Sequence, residues 1–218
     1  MKIALLGAES TGKSQLTQAL HARLQESGLV VHRVDEYLRE WCDTHERVPS
    51  QHEQAHVAET QMARVLEAPK NSIVVTDTTP LMIAVYSQWI FGDHSLDAQA
   101  LAWQQQFDIT LLTGLDLPWI ADVLRDGPQV REPVDQMVRH MLARANVSYQ
   151  VVYGQGAQRL ENALFCIAGA AAKLSTPTAA RLCQVLSRPE VPAKWTGPCE
   201  TCGDGDCEHR LFRSLVKS

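Results

Sequence analysis

No stretch of this chain is long and apolar enough to span a bilayer, and the run behind Lys2 stops at Gly7, too short for the core of a signal peptide. A cytoplasmic location is expected. Blocks of Lys or Arg are also missing, and the formal net charge is -5, so the electrostatic footprint of a general nucleic-acid binder is not there. Cysteine is sparse, with six in 218 residues. In a reducing compartment the scattered Cys42, Cys166 and Cys183 read as small buried hydrophobes. Cys199, Cys202 and Cys207 crowd the C-terminal end, and clustering there suggests metal before disulfide. A hydrophobic content of 45% supplies one medium domain with a full core and a small appendage.

What is present begins at the N-terminus. The apolar run Ile3 to Leu6 feeds directly into Gly7-Ala8-Glu9-Ser10-Thr11-Gly12-Lys13-Ser14, a complete G-x-x-x-x-G-K-S phosphate-binding loop. Gly7 and Gly12 let backbone N–H groups turn inward around phosphate oxygens, Lys13 places a point charge on the β- and γ-phosphates, and Ser14 can ligate Mg²⁺. Glu9, Ser10, Thr11 and Gln15 complete the expected nucleotide-binding set. Leu16, Leu20 and Leu24 then recur at helical spacing until Gly28, so a helix N-terminus faces the phosphates.

A second strand over Leu29 to Val34 ends on Asp35-Glu36, which places two carboxylates at its carboxyl end, where open parallel sheets bind ligands. The helix that follows carries Tyr37 and Trp41 on one face, either as core packing or as a platform for a substrate. Residues 50 to 68 form a long helical pattern containing His52-Glu53-Gln54-Ala55-His56, formally the H-E-x-x-H of zinc peptidases. That reading is rejected, because no third-ligand motif follows and the phosphate loop assigns the fold to another chemistry. Ser72 to Thr76 is a buried-type strand that delivers Asp77 to the Mg²⁺ shell beside the phosphate loop. Helices are expected over Pro80 to Phe91, stopped by Gly92, and over Ser95 to Gln106. Phe107 to Thr113 and Ser148 to Tyr153 are the remaining strands.

Between those two strands, Leu117 to Pro133 is polar, interrupted at Gly127, Pro128 and Pro133, and carries Arg125 and Arg131. It reads as a lid that brings arginine over a transferring phosphoryl group and excludes water. Gly154-Gln155-Gly156 then opens a helix containing Arg159, at the place where P-loop kinases hold the adenine.

The segments GAESTGKS, VDEYLREW, VVTDTTP, FDITLLTGLDLPWIADVLRDG and YQVVYGQGAQRLENAL together resemble the NadR-like P-loop ATPases, and within them the ribosylnicotinamide kinase domain, over about residues 1 to 170. The resemblance implies a thymidylate-kinase-like α/β fold, with a parallel sheet flanked by helices, an ATP site and an Arg-bearing lid. By position it assigns Lys13 and Ser14 to ATP–Mg²⁺, Asp35 or Glu36 to the substrate hydroxyl, Asp77 to the metal or substrate, and Arg125 and Arg131 to the lid. The chain departs from NadR in having no nucleotidyltransferase or DNA-binding segment and in adding a cysteine-rich tail.

The P-loop domain is expected over residues 1–174, a helix and Pro-containing linker over 175–198, and the tail over 199–218. Cys199, Cys202, Cys207 and His209 are three thiols and an imidazole within eleven residues, a set that can surround Zn²⁺ tetrahedrally. Free thiols or a redox pair are the competing reading. The expected activity is transfer of the γ-phosphoryl group of ATP to the hydroxyl of a nucleoside-like molecule, nicotinamide riboside being the first to try. The rival is an ATPase switch whose tail docks a protein partner.

Overall fold

Apolar alternation in β1 (Lys2–Leu6) sends Ile3 and Leu5 to one side of a sheet and Ala4 and Leu6 to the other, and all four are fully buried. Both faces of the strand must then be covered, which is the condition for an all-parallel sheet. The computed structural model describes residues 1–120 and 127–186, and in it β1 is central to a five-stranded parallel sheet of order β2-β3-β1-β4-β5. The partners are β2 (Val31–Val34), β3 (Ile73–Asp77), β4 (Ile109–Thr113) and β5 (Gln150–Val152). Leu5 is in register with Asp77 on one side and with Leu111 on the other.

Helix α1 (Lys13–Glu26), helix α7 (Gly156–Ala171) and helix α8 (Pro177–Leu186) cover the face formed by Ile3, Leu5, Val75 and Leu111. The opposite face is covered by α2 (Tyr37–His45), α3 (Gln54–Leu66), α4 (Pro80–Phe91), α5 (Asp97–Gln104) and α6 (Arg131–Arg144). Helix α4 is capped as its sequence suggests. Thr79 Oγ1 accepts the Leu81 N–H, Pro80 is the first helical residue and Gly92 ends the helix at φ +64°. Its Leu81 to Val85 stretch is buried all round, so it is an internal helix rather than an amphipathic one.

The sequence expectation differs from the structure at two places. The segment read as a lid closes earlier than expected, because Pro128–Val130 forms a short 3-10 turn that runs straight into α6 at Arg131. Pro133 is the third residue of that helix, where its missing N–H has no intrahelical partner to lose, so it is compatible with the first turn instead of breaking the chain. The domain boundary also moves. The compact unit runs from Met1 to Leu186, since Ala179 and Leu182 of α8 are fully buried in the same core as α7. The second unit, Ser187–Ser218, lies outside the described residues, and with it Cys199, Cys202, Cys207 and His209. Among the described residues no helix is long and apolar enough to cross a membrane.

Because Leu182 is fully buried against α7, Leu182→Ala is expected to destabilise the chain by about 2–5 kcal/mol in urea unfolding. A loss under about 0.5 kcal/mol would mean that α8 is not part of this core.

Candidate active site at the carboxyl edge of the sheet

The loop after β1 is fixed by contacts that leave no room for larger side chains. Gly7 has φ +149°, and a Cβ there would sit 2.0 Å from Thr113 Oγ1. The Thr11 and Thr113 hydroxyls lie 2.7 Å apart, Thr11 within 2.7 Å of the Ala8 carbonyl and Thr113 within 3.1 Å of the Leu6 carbonyl. Ser10 and Gly12 both take left-handed φ, at 56° and 74°, which bends the backbone back on itself before α1 begins. Lys13 Nζ reaches back across the loop to donate to the Ala8 carbonyl at 2.9 Å. Ser14 and Gln15 are exposed in the first turn of α1. Glu9 is half-buried within the loop, and Ser10 Oγ accepts the Ile120 N–H at 2.8 Å, tying the loop to the segment after β4.

Arg159, expected beside the adenine, has its guanidinium buried beneath the phosphate loop, with a side chain only 5% exposed. It donates to the Thr11 carbonyl at 2.9 Å, the Gly154 carbonyl at 2.8 Å and Asp116 Oδ1 at 3.1 Å. Asp116 also accepts the Gly154 N–H at 2.7 Å. Partial burial opposes ionisation of Asp116, but the Gly154 N–H and the Arg159 guanidinium outweigh it and hold its carboxyl below the usual range. The pair therefore joins the loops after β1, β4 and β5.

At the end of β2 the two adjacent carboxylates have different surroundings. Asp35 is 66% exposed and ion-paired with Arg33, Nε to Oδ1 at 2.8 Å. Glu36, the N-cap residue of α2, is 18% exposed, with Arg39 Nε at 3.5 Å from its Oε2. Burial pushes the Glu36 carboxyl above the ordinary glutamate value, Lys13 pulls it down, Asp77 pushes it up and Arg39 pulls it down. Glu36 is thus the carboxylate that senses both the phosphate-loop lysine and the β3 aspartate. Asp77 is 3% exposed, and its Oδ1 has no hydrogen-bond partner among the described residues. A buried carboxylate oxygen left open at the end of β3, in register with Leu5 of β1, is of the type suited to a hard cation such as Mg²⁺.

Tyr37 and Trp41 do not form a platform. Trp41 is 4% exposed within the core, His45 stacks on its ring at 4.0 Å, and the Arg47 guanidinium lies 4.8 Å from the ring centroid. The Arg64 guanidinium covers Tyr37 at 4.5 Å, held there by a two-pronged pair with Glu40. Core packing is therefore what the spacing of Tyr37 and Trp41 encodes. The rejected peptidase motif is also accounted for. Glu53 is held by Arg47 at 2.8 Å and by Ser50 in a capping box, and the hydrogen bonds from Arg47 and Ser50 set its carboxyl far below the usual range. His52 lies in the 3-10 turn before α3 and His56 within α3, and among the described residues no cluster of His, Cys, Asp and Glu could hold a metal.

Arg131 opens α6 and is 8% exposed; its Nη2 donates to the Leu115 carbonyl at 3.2 Å, while its buried Nε has no partner among the described residues. Arg125 lies outside those residues. Two side chains that the sequence reading missed, Asp116 and Gln61, organise this edge. Asp116 stands in the recognisable stretch after β4, but Gln61 is a polar residue inside a helix and no local pattern marks it.

A family model described as an AAA domain, AAA_28, matches residues 2–159. No curated protein matches the chain significantly. Among solved structures, NadR protein in complex with NR superposes with a TM-score of 0.60 at 19% identity, over 78% of this chain and 51% of that one. NadR protein in complex with NAD and AMP-PNP gives 0.61 at 17% identity, over 80% and 50%. Shikimate kinase from Acinetobacter baumannii in complex with shikimate matches at 17% identity over 79% and 94%, with a TM-score of 0.41. The chain spans about half the length of the NadR chains. At these identities the likeness to NadR is one of fold.

Arg159→Leu strips the donor from three loops at once and leaves Asp116 without its guanidinium partner. ATP affinity measured by calorimetry is expected to fall about 10- to 100-fold. An unchanged Kd in the folded variant would show that the phosphate loop is held without it.

Proposed function

The chain belongs to that AAA domain family, and from this premise we propose that it binds ATP–Mg²⁺ and transfers the γ-phosphoryl group to the hydroxyl of a nucleoside-like small molecule, with nicotinamide riboside as the first candidate. The observation that carries the reading is the placing of Glu36, a shielded carboxylate whose ionisation responds to both Lys13 and Asp77. Its support also comes from the fold shared with NadR in complex with NR and with NAD and AMP-PNP.

In this mechanism Lys13 and the loop N–H groups bind the phosphates, while Ser14 and Asp77 would hold Mg²⁺, which neutralises phosphate charge when bound. Glu36 accepts the proton of the acceptor hydroxyl as the new oxygen–phosphorus bond forms and the bond to ADP breaks. Arg131, with Arg125, is assigned to the oxygens of the transferring group. Asp35 drops out as the base, because its carboxylate is committed to Arg33 in solvent. The aromatic recognition of a cationic pyridinium also drops out, since the faces of Tyr37 and Trp41 are taken by Arg64, His45 and Arg47. Selectivity for nicotinamide riboside must then come from charge at Glu36 rather than from an aromatic face.

The tail is assigned one structural zinc through Cys199, Cys202, Cys207 and His209. A segment this short and polar buries too little apolar surface to order itself without a metal.

A raised glutamate also links to stability. Between the ordinary glutamate value and the raised folded value, the folded chain keeps a proton that the unfolded chain has released, so stability falls as pH rises through that window. Glu36→Gln is therefore expected to raise the melting temperature above that window while lowering nucleoside-dependent ADP release by about 10²-fold or more. Asp35→Asn should change release less than about threefold. Equal losses in the two variants would reject Glu36 as the base. If no nucleoside accelerates ADP release over water, the ATPase-switch reading with a protein partner for the tail takes its place. For the tail, elemental analysis of never-chelated protein should find about one zinc per chain. No zinc, with all three tail thiols freely reactive, would remove that assignment.

A further inference from the structure

Gln61 projects from α3 and is fully buried beneath the carboxyl ends of β2 and β3. Its Oε1 accepts the Tyr37 N–H at 2.8 Å. Its Nε2 lies 3.3 Å from the Asp35 carbonyl, 3.3 Å from Thr76 Oγ1 and 3.4 Å from the Asp77 carbonyl. The orientation of the amide follows from its partners, since a backbone N–H can only donate and a carbonyl can only accept. One side chain thus holds the backbone on both sides of Glu36 and the backbone of Asp77 itself.

We propose that Gln61 is a positioning residue for phosphoryl transfer, fixing Glu36 relative to Asp77 and Lys13 without touching substrate. This rests on the reading of Glu36 as the base. The physical reason is that β2 and β3 are joined by ladder bonds only as far as Val34 and Thr76. Beyond that pair the two carboxylate-bearing turns have no backbone bond to each other in the register, and Thr78 takes a left-handed φ of 72° as the chain turns away. A glutamine is long enough to reach both turns, and it offers the acceptor and the donors they need. A leucine or methionine of similar volume would fill the space and leave the Tyr37 N–H and the two carbonyls unsatisfied. Thr76 Oγ1 continues the same path by donating to the Thr78 carbonyl at 2.8 Å, so the turn carrying Asp77 is held from both sides.

A purely structural glutamine and a positioning one make different predictions. Gln61→Met in the full chain is expected to lower kcat for nucleoside-dependent ADP release by about 10- to 100-fold, with a smaller change in KM. The Kd for ATP without divalent ion should change less than about threefold, because none of Gln61's hydrogen bonds reaches the phosphate loop. The readout that needs no substrate is the Glu36 carboxyl itself, followed by carbon NMR in the nucleotide-free chain and assigned with Glu36→Gln. Its titration midpoint should move down toward the ordinary glutamate range by about half a unit or more as the carboxyl regains water. Gln61→Leu, which also removes the amide without adding charge, serves in parallel where methionine is not tolerated. If the melting temperature falls but the Glu36 midpoint stays, Gln61 is only structural and the proposal is overturned. If the midpoint moves but no nucleoside accelerates ADP release in the unsubstituted chain, the positioning of Glu36 stands and the kinase reading fails.

Discussion

β1 is hydrogen-bonded on both edges and buried on both faces, so polar groups can be presented only at the strand ends, and the phosphate loop leaves from the carboxyl end. The chemistry-bearing residues described above follow from that constraint. Thr78 N–H bonds to the Leu5 carbonyl at 3.0 Å, Gly114 N–H to the Val152 carbonyl at 2.9 Å, and the phosphate loop starts at the same level at Gly7. Four loops therefore leave the sheet within one layer. What separates a binding edge from a collapsed one is the set of buried polar side chains beneath it: Thr11 and Thr113 between the first and fourth strands, Arg159 under three loops, and Gln61 under two.

The contrast between Asp35 and Glu36 shows how such an edge gives two like residues different chemistry. They are adjacent in sequence, so burial and partners alone distinguish them. Asp35 projects into water against Arg33, where an exposed ion pair contributes about 0–1 kcal/mol. Glu36 turns inward at the start of α2, where burial opposes ionisation and the Lys13 ammonium favours it. The proposed role of Glu36 as a base fits that balance, since a carboxylate that is too comfortable as an anion has little tendency to take a proton.

The elements legible in the sequence were those with local patterns. The phosphate loop, the α1 leucines, the Thr79-Pro80 start and Gly92 stop of α4, and the apolar strands each announce themselves within a dozen residues. Helix α6 did not, because Pro133 and the preceding Gly127-Pro128 read as breaks, although a proline in the first helical turn breaks no intrahelical bond. The spacing of Tyr37 and Trp41 gave a helical face that could be core or platform, since spacing gives the side of a helix and not what packs on it. Arg159 and Gln61 were beyond reach for another reason. Arg159 bonds to Thr11, 148 positions away, and Gln61 reaches groups 15 to 26 positions away, so their roles exist only after the sheet has formed.

Where the fold tolerates unsatisfied polar groups follows the same geometry. Buried polar atoms without a hydrogen-bond partner, among the described residues, include Asp77 Oδ1 at the end of β3, Thr78 Oγ1 just after it, Trp119 Nε1 between β4 and α6, Arg131 Nε at the start of α6, and Arg159 Nε in α7. All five stand at the carboxyl edge, whereas Ser87 Oγ in α4 is set apart from it. Each such group disfavours the folded state by about 1–3 kcal/mol, so chance would not gather them at one end of a sheet whose interior is otherwise well paired. A carboxylate oxygen, an indole N–H and two guanidinium N–H groups left open together make an edge that is less stable than it could be. Under the proposed function, Asp77 Oδ1 and Arg131 Nε are open atoms to which a cation and phosphate oxygens could be matched.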